Sequence, residues 1–132
     1  MDNENSFLDV DTTDAVEPTV VDAGECEIRI IGGDINTDKN SHPYFLPRFE
    51  AVGEPHAKDF TDFIGLPYEG MDEKELARAK WKIECFKRCF GIAGSRVEPD
   101  EIVGLTGWVI LKVKEDVDYG EQNKISKYIL PK

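Results

Sequence analysis

One amphipathic helix set among β-type alternation constrains the fold of this chain more than any other feature. Leu76, Ala79, Ile83, Phe86 and Phe90 recur at three- and four-residue steps and draw a single apolar stripe. Asp72 stands where an N-cap belongs, with Glu75 three residues on as a capping box, and Gly91 fits the C′ stop. The spacing predicts a helix from Asp72 to about Phe90. Three stretches before it read as strands. Residues 25–31 alternate polar and apolar and are rich in β-branched side chains. Residues 43–53 and 57–66 follow, divided by the turn Gly53-Glu54-Pro55-His56. Two further strands are expected after the helix, at residues 102–114 and 123–130, around the turn Asp118-Tyr119-Gly120-Glu121. Gly32 and Gly33 mark a bulge or a sharp bend. Pro47 forbids a ladder bond at its nitrogen, so an edge or a bulge is expected there.

Three strands, one helix and two strands is the wiring of the OB-fold, a partly open Greek-key barrel. The expected fold is therefore mainly β with one helix: a five-stranded OB-fold-like Greek-key barrel, the helix between strands three and four. In that fold the helix plugs one end. Ligand is carried on strands two and three and on the loops between strands one and two and between strands four and five.

Charge is distributed unevenly. The 132 residues suit one domain and carry a formal net charge of −11. Residues 1–27 hold nine acids and no Lys or Arg, which leaves 18 acids against 16 bases in the remainder. The chain divides into an acidic, partly disordered leader, residues 1–24, and an OB-fold-like domain, residues 25–132. An acidic block is a solvated tail or an interaction segment. It could also mimic nucleic acid and compete for a basic groove. Phe7, Leu8 and Val10 could pin part of it to the body. Bulk charge excludes a strongly basic nucleic-acid binder. The start of the chain lacks a secretory signal, and no apolar run approaches a membrane span. Three cysteines cannot all pair within one chain, which argues against a disulfide scaffold. The expected location is the cytoplasm.

Catalysis finds little support. His42 and His56, the only histidines, lie in turns beside prolines. No nucleophile elbow, phosphate loop or metalloprotease motif is present. Cys85 and Cys89 stand one helical turn apart and could supply two zinc ligands. The plainer reading, which is preferred, is helix cysteines acting as small apolar residues. The expectation is a non-enzyme without metal or cofactor.

Binding fits the residues better. Single strands are held by rings that stack on bases and by cations that follow the phosphates. The outward face of the second strand offers Tyr44 and Arg48, and the third strand turns Phe63 away from Phe60, Ile64 and Leu66. Trp108, Lys112 and Lys114 share the non-core face of the fourth strand. Lys39 lies in the first loop, and Lys124 and Lys127 follow the last turn. Trp81 stands nearly opposite the helix's apolar stripe, near Cys85 and Arg88, and suggests a contact with the leader or a partner.

Several stretches together resemble a family of small phage and prophage proteins of unknown function, associated with OB-fold single-stranded DNA-binding proteins. They are Ser6-Phe7-Leu8-Asp9-Val10, Gly24 to Ile30, His42-Pro43-Tyr44 with Phe49-Glu50, Trp81-Lys82-Ile83 to Phe86, Val103 to Trp108, and Asp118 to Lys124. The resemblance implies sequence-nonspecific binding of single-stranded DNA in phage replication or recombination, inside a bacterial host cell. Lys39, Arg48, Lys112 and Lys124 would contact phosphates, while Tyr44, Phe63 and Trp108 would stack on bases. The acidic leader would recruit replication or recombination proteins, and an oligomer is compatible with this reading. The rivals are a non-catalytic phage accessory module that binds protein, and a structural virion component.

Overall fold

The computed structural model describes residues 7–94 and 97–132. The first six residues of the acidic leader, and Ser95 and Arg96 after the helix, lie outside it. Eight elements follow along the chain. They are β1 (Gly24–Thr37), β2 (Pro43–Ala51), β3 (Phe60–Thr61), β4 (Ile64–Gly65), α1 (Glu73–Phe90), a 3-10 turn (Pro99–Ile102), β5 (Thr106–Asp116) and β6 (Gly120–Tyr128).

The strands form one antiparallel sheet in the order β3-β2-β1-β5-β6, with β4 also paired to β2. The fold is mainly β with one α-helix, as the alternation implied. Three particulars differ from the expectation. The sheet has six strands rather than five. The ladder does not close into a barrel, because no pairing joins β3 or β4 to β6. The helix lies between β4 and β5, not between the third and fourth strands.

Pro47 accounts for the extra strand. Within a strand, a residue's nitrogen and carbonyl oxygen point to the same side. The Pro47 carbonyl accepts the Asp62 amide at 3.2 Å, so its donorless nitrogen also faces the third strand. The neighbour pairs on either side of that position, Arg48 with Thr61 and Phe45 with Ile64. Between those rungs, at Asp62 and Phe63, the expected strand breaks in two. Asp62 turns toward β6, where the Tyr128 hydroxyl donates to its carboxylate at 2.6 Å. That side-chain bond spans the gap the ladder leaves, together with the Lys58 amine, which donates to the Glu121 carbonyl at 3.0 Å. Burial, then the adjacent Asp62 charge, pushes the Tyr128 phenol well above its ordinary range, so it remains the donor.

The bend of β1 is the second shaping feature. Its register slips between Ile30 and Gly32. A Cβ at Gly33 would lie 2.6 Å from the Phe45 ring, on the core side. A Cβ at Gly32 would lie 2.8 Å from the Arg48 guanidinium, on the outward side. Both faces of β1 are thus cleared for β2 side chains.

The core joins Ile28 and Ile30 of β1, Phe49 of β2, Val109 and Leu111 of β5, and Phe86 and Phe90 of α1. Asp72 caps α1 by accepting the Lys74 and Glu75 amides, and Gly91 ends it at φ 70°. Its last turn packs on Gly107, where a Cβ would stand 2.8 Å from the Cys89 carbonyl. The end of the leader is fastened to the body. Thr19 bridges Ala57, and the buried Asn123 amide both accepts from and donates to the Val21 backbone at 2.9 Å.

These contacts set a pair of expected outcomes. Gly33→Ala forces a rigid ring to move and should lower stability by about 1–3 kcal/mol. Gly32→Ala displaces only the tip of an exposed arginine and should fold with nearly unchanged stability. Urea unfolding of the two variants checks the contrast.

Candidate nucleic-acid interface

Alternation along β2 sends Phe45, Pro47, Phe49 and Ala51 toward the core side and Tyr44, Leu46, Arg48 and Glu50 outward. Tyr44 pairs with Gly65, and the break at Asp62–Phe63 brings the Phe63 ring onto it, with centroids 4.8 Å apart and planes 30° apart. Phe63 keeps 53% of its surface exposed. A second ring pair lies at the same end of β2: His42 stacks on Tyr68 at 3.9 Å and 9°. The turn is held by Asp38, whose carboxylate accepts the Asn40 and His42 amides and lies 3.8 Å from His42 Nδ1. The His42 amide bond is the main reason the Asp38 carboxyl sits below its ordinary range.

Two cations accompany the rings. Arg48 is exposed, lies across from Gly32 and Thr61, and has no ion pair among the described residues. Lys39 is exposed in the β1–β2 turn. Lys82 approaches the rings, but its amine is held by the Phe63 carbonyl at 2.7 Å and the Asp62 carboxylate at 3.3 Å. Arg29 is neutralised by Glu50 at 2.6 Å. One acid enters this face: Asp34 is exposed across from Leu46, between the Tyr44 and Arg48 rungs.

The remaining expected residues lie elsewhere on the sheet. Trp108 is 51% exposed but sits directly across from Glu27, and Ile110 sits across from Glu25. Lys112 pairs directly with Lys124, and Lys127 pairs with Ile110 on the same outward face. Neither lysine of the Lys112–Lys124 rung has an ion pair among the described residues. Like charges opposed on adjacent strands cost stability unless an anion lies between them.

The seven residues therefore fall into two groups. Lys39, Tyr44 and Phe63 gather at the β1–β2 turn end, with Arg48 four residues farther along β2 opposite Gly32, while Trp108, Lys112 and Lys124 gather on the β5–β6 hairpin. Tyr44 is partnered by Asn36 and Trp108 by Glu27, nine positions apart on β1. At strand rise that is about 30 Å along the strand. Alternation gave each side chain its face, but register decides which faces adjoin. The first part of β1 pairs with β5 and its later part extends along β2 alone.

Tyr68 and His42 are functional candidates that only the fold brings together; their one signal in the sequence is that His42-Pro43-Tyr44 and Pro67-Tyr68 place rings beside prolines. On the core side, an apolar cavity of about 390 Å³ opens between the β1–β2 arm and α1, lined by Ile35, Phe45, Leu66 and Ile83. Among the described residues no cluster of three His, Cys, Asp or Glu is placed to hold a metal, and no helix is long and apolar enough to cross a membrane. The Cys89 thiol donates to the Trp108 carbonyl at 3.3 Å, and burial pushes its pKa up to about 11. Burial also raises Cys26. Neither a family model nor a curated protein matches the chain.

The state of Cys89 is directly measurable. At pH 8, well below its raised pKa, it should stay protonated and resist alkylation in the folded chain. It should label readily in urea, as read by peptide mass spectrometry.

Proposed function

We propose that the chain binds single-stranded DNA without sequence preference and without catalysis. The observation that carries the reading is the Tyr44–Phe63 stack on the solvent side of β2, with Arg48, which has no ion pair among the described residues, four residues along the same face. Paired rings beside a free guanidinium offer bases a π-surface and phosphates a charge, and neither needs a particular sequence. His42 with Tyr68 extends the supply of rings at this end, and Lys39 adds a cation at the turn. The Lys112–Lys124 rung would form a second phosphate contact, since a bound anion relieves its repulsion.

The strand wiring supports an open, OB-like sheet, with the outward face of its second strand as the binding face. The resemblance to phage proteins supports a place in DNA replication or recombination, in the host cytoplasm, with replication or recombination proteins as partners of the acidic leader. A protein-interaction module is the second reading, and the 56% exposure of Trp81 on α1 is the observation in its favour.

Fluorescence anisotropy with a labelled oligo-dT at two salt concentrations separates the readings. Affinity should fall with salt at a slope of about −0.7 per phosphate contact. Tyr44→Ala should weaken binding by about 1–3 kcal/mol while leaving the fold intact. Lys124→Gln should show opposite signs. It should stabilise the fold by about 0.2–1 kcal/mol, because the like-charge rung is gone, and reduce the salt slope by about 0.7. A full chain with no affinity for oligo-dT at low salt would overturn the DNA reading in favour of the interaction module.

A further inference from the structure

Helix α1 buries one side and leaves the other without a covering element. Phe86, Cys89 and Phe90 are buried, whereas Lys74, Arg78, Trp81 and Arg88 are all exposed. Their steps of four, three and seven residues place those four on one stripe. Arg88 lies over the Trp81 ring at 5.7 Å and is bonded to Glu84 at 2.9 Å. Lys74 and Arg78 have no ion pair among the described residues. The helix carries six basic against three acidic residues, so this face is positive in a chain of net charge −11.

The leader is its complement. Residues 7–19 are exposed throughout. Within them Asp9, Asp11, Asp14 and Glu17 stand without any base, and Phe7 and Val10 are 86% and 67% exposed. An acidic segment with apolar anchors is what a basic stripe around an indole accommodates. Trp81 and the leader positions Phe7 and Val10 are exposed among the described residues. From Thr19, which is fixed to His56 and Lys58, residues 7–18 extend up to about 40 Å. That reach suffices to meet a neighbouring molecule.

We propose that the leader of one copy docks on the outer face of α1 of a second copy. Asp9, Asp11 and Asp14 lie against Lys74, Arg78 and Arg88, and Phe7 or Val10 packs on Trp81. Reciprocal exchange of two leaders closes a twofold dimer. The contact leaves the outward face of β2 free, so it is independent of the DNA reading.

Sedimentation of the full chain over a concentration series tests this. The wild type should dimerise, more weakly at high salt. Trp81→Ala, and separately removal of residues 1–18, should each weaken association on the order of tenfold or more. Mixing those two variants should give a heterodimer tighter than either variant alone and weaker than the wild type, since one supplies the leader and the other the intact helix face for one of the two exchanges. Circular dichroism establishes that both variants are folded. A wild type that stays monomeric at every concentration would overturn the proposal, and a leader that binds its own helix or a different protein would give that result. Association that persists in both variants, or a mixture that fails to associate when each variant is folded, would overturn it as well.

Discussion

A proline in the middle of a paired strand sets the terms for the rest of this structure. Pro47 offers no donor to the strand beside it, and the neighbouring strand breaks where the donor is missing. The break has two consequences on opposite sides of the chain. Asp62 turns to receive Tyr128 and Lys82, tying the open edge of the sheet to β6 and to α1. Phe63 turns the other way and lies on Tyr44. An unbroken strand would bury or expose these residues by alternation alone, and would offer neither the cross-sheet bond nor the ring stack at this position.

The glycine bend of β1 complements that break. Gly33 admits the Phe45 ring on the core side, and Gly32 admits the Arg48 guanidinium on the other. The exposed side chain that would carry phosphate thereby lies close over the β1 backbone at Gly32. Two departures from regular strand geometry, one in each of two adjacent strands, thus place the rings and the cation of the candidate interface.

Much of the architecture was legible in the sequence because it rests on local physics. The helix bounds followed from Asp72, the apolar stripe and Gly91. The bend at Gly32–Gly33 and the irregularity at Pro47 were read from those residues alone. Which strand would absorb the irregularity was not, because that depends on pairing. The same limit governs the site. Tyr44, Arg48, Phe63 and Trp108 all lie on the outward side, yet Trp108 stands opposite Glu27, nine positions along β1 from the Tyr44 rung. Register is fixed by contacts between distant segments, and one strand's alternation does not reveal where its partner begins. The His42–Tyr68 stack escaped notice for a similar reason, as its partners are joined only by the folding of two loops.

The account depends most on rings at the turn end of β2 meeting unpaired bases. An aromatic NMR titration of the full chain with oligo-dT at low salt measures this directly. The expected result is saturable perturbation of the Tyr44 and Phe63 ring signals, together with the Arg48 side chain, while core rings such as Phe49 and Phe90 stay fixed. Tyr44 and Phe63 signals that remain unmoved at saturating oligonucleotide would contradict it.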